Sequence, residues 1–218
     1  MRTWYKYGDD KTAELLTKID KEFKRSRLTL NFDELNAMGA KSVVSKLYSR
    51  LDKMNRKYML DVAENACKEA QKEVVPDKKT SRLGVKWLAA LLLAYDPVTK
   101  YVYEHEVERK RARMFEAIMA DRHAESRIGL QQDYKVACSS WKRQSGQYMI
   151  AVEDAAVLAG YALVGVKRVR WKAEHDSKTC KVCRDRDGNV YPITDVPEKP
   201  HYNCRCTLEP VIEKGGGD

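Results

Sequence analysis

Residues 171–211 read WKAEHDSKTCKVCRDRDGNVYPITDVPEKPHYNCRCTLEPV, and they decide how the rest of the chain is to be divided. Cys180-x-x-Cys183 closes a tight turn that presents two sulfurs to one point. After seventeen further residues come His201, Cys204 and Cys206. Two such knuckles meet the tetrahedral requirement of a structural zinc site, with five candidate ligands for four positions. Cys204 and Cys206 point the same way on an extended strand, so both can bind, and His201 competes with Cys206 for the last place. Disulfides, or thiols left reduced in a compact turn, are the alternatives. Asp187-Gly188 between the knuckles reads as a two-residue hairpin turn that folds the second back onto the first. Immediately upstream, Val169 and Trp171 alternate with Arg168, Arg170 and Lys172, the period-two pattern of a short strand with one buried face.

Working outward, the chain changes character. Of its 218 residues, 1–170 hold 33 Lys and Arg against 23 Asp and Glu, whereas 171–218 hold 8 against 9. The excess positive charge therefore belongs to the first part, while four of the six cysteines crowd into the second. A chain of this length buries a core of its own, so its cysteines are not needed as staples. The opening residues lack an apolar secretory core, which sets the expectation of synthesis in a reducing cytosol. Val85 to Tyr95, the longest apolar run, falls short of a membrane span.

The body reads as helices. Leu15, Leu16, Ile19 and Phe23 recur every three to four residues over 10–26. Val44, Leu47, Leu51, Met54 and Tyr58 do the same along a long helix with Asp33 as N-cap and Pro76 beyond its end. Residues 81–95 are apolar almost all round, which predicts a core helix. Asp96-Pro97 restarts the chain into a charged helix over 99–124, followed by helical stretches at 128–142 and 146–158 with Gly160 and Gly165 as stops. The fold class expected is α+β: a mainly helical body with a small β-hairpin, Cys/His-rich C-terminal module.

The order Val169-Arg170-Trp171, Asp176, Cys180-x-x-Cys183, Asp187-Gly188, Pro200-His201-Tyr202-Asn203-Cys204-Arg205-Cys206 and Leu208-Glu209-Pro210-Val211 resembles the Mu F type of phage minor head protein, the head morphogenesis family. The resemblance implies a virion component, present in few copies, that associates with the portal vertex or head interior during assembly in the host cytoplasm. It implies portal and head proteins as partners, with room for contact with packaged DNA, and no membrane or small-molecule substrate. It places a helical, portal-binding arm in residues 1–80 and the head morphogenesis domain in 81–218, with 171–211 as its Cys/His module. It supplies no catalytic residues.

Two other readings compete. In a zinc-ribbon DNA-binding protein, Arg109, Lys110, Arg111 and Arg113 on the charged helix and Lys167, Arg168 and Arg170 at the strand would meet phosphates. The plain alternative for the first cluster is a solvated helix face, with Glu104, Glu106, Glu108 and Glu116 close by. A metal-dependent hydrolase would need an open coordination position and a base from Glu174, His175 or Asp176. These three read better as solvated polar residues ahead of a knuckle, and no enzyme is expected.

Overall fold

The computed structural model describes residues 3–28, 37–91, 123–201 and 204–212. Long helices dominate: α1 (Thr3–Leu28), α2 (Ala37–Val74) and α3 (His123–Leu163), with residues 85–91 also helical. They are followed by β1 (Arg168–Lys172), a short helix α4 (Lys181–Arg186), β2 (Val190–Pro192) and β3 (Thr207–Pro210). The strands form one antiparallel sheet in the order β2-β1-β3, so the expected α+β class is the one observed. Asp33, Val44, and the stretch 92–122 with Asp96, Pro97 and the cluster Arg109 to Arg113 lie outside the residues described in full.

Two compact units are present, each assembled from separated stretches. One comprises residues 12–58 and 89–145. Leu15, Ile19, Phe23, Leu47, Leu51 and Tyr58 are buried in it, as the three-to-four spacing predicts. Tyr48 and Trp141 meet in a tilted pair with ring centroids 5.1 Å apart.

The other unit comprises residues 1–11, 59–88 and 146–218 and contains the sheet. β1 is its central strand, with the predicted alternation: Val169 and Trp171 are fully buried, and Arg168, Arg170 and Lys172 face out. α2 ends at Val74, just ahead of Pro76. The amide of Gln71 then catches the returning chain, accepting from Ser81 N and donating to Ser81 O, both at 2.8 Å.

Four expectations are corrected. The two stretches at 128–142 and 146–158 belong to one continuous helix. Gly160 does not stop it. Gly165 does, at φ 85°, with Val166 N bonded to Tyr161 O and Gly165 N to Ala162 O, the paired closing bonds of a left-handed helix cap. Gly160 is instead a contact residue, because a Cβ there would lie 2.5 Å from the carbonyl oxygen of Cys67 on α2. Gly160→Ala gains about 1 kcal/mol of helix propensity, but the clash is with backbone and costs about 1–3 kcal/mol. Net destabilisation is the expected result of a denaturant titration.

Asp187-Gly188 is likewise not a two-residue hairpin turn. Asp187 caps the C-terminus of α4, and Gly188, at φ 77°, carries the chain on toward β2, so a helix lies within the β1–β2 connection. Residues 81–95 do not form a core helix in their described part. Leu83 is buried, but Val85 is 83% exposed and residues 86–91 are half-buried or exposed. An all-apolar surface predicts burial without saying against what.

Candidate metal centre

The first knuckle is built at a helix start. Cys180 is the N-cap of α4, in extended conformation, and its sulfur accepts the backbone N–H of Cys183 at 3.4 Å. That turn aims both sulfurs inward and leaves Cys183 buried. The second knuckle arrives on the segment preceding β3, with Cys204 and Cys206 both buried, as the period-two argument requires.

The two knuckles converge. Ligand atoms of Cys180, Cys183 and His201 lie within 4.8 Å of one another, and so do those of Cys183, Cys204 and Cys206. Cys183 is common to both groups. Its sulfur is 3.5 Å from His201 Nε2 and 3.6 Å from Cys204 Sγ. With zinc–sulfur and zinc–nitrogen bonds of about 2.3 and 2.0–2.1 Å, the edges of a coordination tetrahedron are about 3.6 Å for S···N and about 3.8 Å for S···S. Those two edges have the length a soft-ligand ion requires, and each group of three could hold one, although among the described residues no four of these donors lie within 4.8 Å of one another. All six cysteines are free thiols, Cys67 and Cys138 included.

The protons are distributed unevenly over the sulfurs. Hydrogen bonds from the Cys206 thiol and N–H, helped by Lys199, bring Cys204 down to about 5. The N–H of Cys183 and the nearby His201 lower Cys180. Burial and Cys180 push Cys183 up to about 12, and Cys204 together with burial raises Cys206. Each knuckle thus pairs one sulfur whose thiolate is favoured with one whose thiol is favoured. A divalent metal would displace the remaining protons.

Around the sulfurs lies a frame of charged residues. Asp176 Oδ1 accepts from Lys178 N and Thr179 Oγ1, closing the turn before the first knuckle. Both of its oxygens also pair with the Arg205 guanidinium, at 2.7 Å each, tying the first knuckle to the residue between Cys204 and Cys206. This fork holds the Asp176 carboxyl well below the usual range. His175 Nε2 is 3.2 Å from Asp187 Oδ2, and the Glu174 carbonyl accepts the Thr179 hydroxyl. Asp176 and His175 thus brace this region through their side chains, and Glu174 through its backbone carbonyl.

A second group of supports went unread in the sequence. Lys199, two residues before His201, has a side chain only 5% exposed, with Nζ 3.2 Å from Asp154 Oδ2 on α3 and donating to the Cys206 carbonyl. Tyr5 of α1 donates to Asp154 Oδ1 at 3.1 Å and accepts the Leu208 N–H of β3 at 3.2 Å. Trp171 lies beneath two cations, with the Arg186 guanidinium 5.1 Å and Lys199 Nζ 5.8 Å from its ring. The readable signal was Glu153-Asp154 falling among Met149, Val152, Ala156 and Val157, which are buried on the same helix. Nothing local marks Lys199 or Tyr5.

Glu153 gives this unit a pH dependence. Burial, then the charges of Asp154 and Asp9, raise its pKa well above the ordinary 4.5, with Lys199 opposing. Its Oε1 has no hydrogen-bond partner among the described residues. The folded chain keeps a proton that the unfolded chain releases. Stability from this group is therefore complete below about pH 4.5 and is lost as pH rises toward the folded value. Burial raises Asp154 and Asp9 too, with the same sign. Glu153→Gln should raise the unfolding midpoint at pH 8 and flatten its decline between pH 5 and 8. An unchanged pH profile would contradict the assignment.

Of the basic residues singled out in the sequence, Lys167, Arg168 and Arg170 are exposed at and before β1.

A small antiparallel sheet backed by the end of a long helix and drawn together by two Cys/His knuckles defines a compact, knuckle-clamped α+β module. Residues 142–209, which take in nearly all of this module, match the family model described as Phage Mu protein F like protein, so that stretch is similar to the Mu F-like proteins. The match takes in just under a third of the chain. No curated protein and no solved structure matches it. Among the described residues no helix is long and apolar enough to cross a membrane.

Proposed function

We propose that the chain is a minor head protein that acts at the portal vertex or head interior during assembly in the host cytoplasm and stays with the virion, without enzymatic activity of its own. The supporting observation is that the family match, 142–209, coincides with the stretch holding both knuckles and the sheet they brace. In this reading 81–218 is the head morphogenesis domain, and the knuckles hold one structural zinc through Cys180, Cys183 and Cys204 with His201 or Cys206 as fourth ligand. Residues 1–80 present the portal-binding surface. Residues 1–11 and 59–80 fall in the same compact unit as the sheet, so truncation is the wrong test of that surface. Exposed-face substitutions such as Lys53→Glu with Lys57→Glu on α2 leave the core alone.

The test is co-expression with the portal protein and capture of the ring. Retention of the full chain, weakened by the α2 substitutions, is expected. Absence from both portal and procapsid fractions would overturn the assignment. Elemental analysis after reducing purification should give one zinc per chain. None, with half-cystines paired by mass spectrometry, would replace metal with disulfide.

A second reading, DNA contact, is favoured by the outward face of β1, where Arg168, Arg170 and Lys172 line up beside exposed Lys167. It predicts salt-sensitive, sequence-independent duplex affinity.

A further inference from the structure

A cavity of about 380 Å³ lies in the unit formed by residues 12–58 and 89–145. α1 contributes Asp20, Phe23, Lys24 and Arg27 to it, and α3 contributes Lys135, Cys138 and Lys142. On each helix these positions step by three or four, so each presents one continuous stripe. Among the described lining residues, four cations face one carboxylate. Asp20 already serves two of them, at 3.2 Å from Lys24 and 3.5 Å from Lys142, and also accepts the Cys138 thiol at 3.4 Å. Arg27 and Lys135 have no ion-pair partner among the described residues. The floor is uncharged: Phe23 is buried, and burial, then Asp20, pushes the Cys138 thiol up to about 11.

We propose that this cavity is a phosphate-binding groove that takes the backbone of duplex DNA. Like-charged side chains gathered on two helices around one shared acid repel each other unless an anion joins them. A site for a small free anion would enclose it, whereas these cations sit on exposed stems, with the Lys24 side chain 71% exposed. Long exposed cations suit an extended polyanion that runs past the opening. No side chain here is arranged to read bases, so the contact is sequence-independent. The inference rests on the DNA reading above but assigns contact to residues different from the β1 face.

The experiment is fluorescence anisotropy of the full chain with a labelled duplex from 50 to 200 mM salt. Arg27→Ala with Lys135→Ala breaks no ion pair and should leave circular dichroism unchanged. It should make the log–log salt slope shallower by about 2 and weaken binding about tenfold at low salt. Asp20→Asn should tighten binding. An unaltered slope in the double variant, with binding lost instead in an Arg168, Arg170 and Lys172 triple alanine variant, would overturn the groove while leaving the DNA reading intact. No duplex affinity in the unmodified chain would overturn both. Stronger competition by inorganic phosphate than by unlabelled duplex would assign the cavity to a free anion, and by polyglutamate to an acidic protein, each overturning the proposal.

Discussion

Cys183→Ser should abolish metal binding and unfold the C-terminal module while leaving most of the helical signal intact. Cys183 belongs to both ligand groups, so losing its sulfur breaks either choice of four ligands. A serine oxygen is a poor replacement for a thiolate toward zinc. Apparent binding energies of structural zinc in small domains reach about 10–16 kcal/mol, far more than the stability of a three-stranded sheet, so metal and fold should be lost together. Limited proteolysis should cut first within 174–206, with metal content falling from one per chain to none. Cys138→Ser, in the other unit, serves as control and should keep both. Retained metal with an unchanged digestion pattern in Cys183→Ser would show that the knuckles do not form the centre.

The second large effect belongs to a residue outside the ligand set. Lys199 is the buried cation that joins α3 to the segment carrying His201, through Asp154 and the Cys206 carbonyl. Lys199→Met keeps the length of the side chain but leaves Asp154 buried without its cation, and breaking such a pair from one side costs about 3–5 kcal/mol. That corresponds to a fall of about 6–20 °C in the melting temperature. Adding Asp154→Asn should recover most of the loss, because an amide still accepts from Tyr5 and has no charge to bury. If the double variant is no more stable than Lys199→Met, the Lys199 effect lies in packing around Trp171 and not in the pair.

These two residues show how differently the parts of the site could be read. Cysteine spacing made Cys183 visible, since two residues between ligands is a local requirement that the chain satisfies by itself. Burial of Lys199 is a non-local fact. It depends on Asp154, 45 positions earlier, and on Tyr5, near the start of the chain. The same distinction explains the corrections. Glycine commonly ends helices, which predicts a stop at Gly160, but its lack of a side chain serves close contact with the Cys67 carbonyl, which no local pattern reveals. Asp187-Gly188 has the composition of a two-residue hairpin turn, yet Asp187 ends a helix and only the glycine, at positive φ, serves the turn.

By itself, then, the sequence determined the local items: amphipathic helices from the spacing of Leu15, Ile19 and Phe23 and of Leu47, Leu51 and Tyr58, the alternation of β1, the two knuckles, and the Mu F-like order of motifs. Each is set by periodicity or by a fixed spacing within a few turns of chain. Only the tertiary structure decided that β1 is central in the sheet, that Tyr5 and Lys199 brace the segment carrying the second knuckle, that Asp176 forks onto Arg205, and that four cations of α1 and α3 face one acid. Those facts arise where segments far apart in sequence share one space. There burial and charge pairing, not propensity, select the partners.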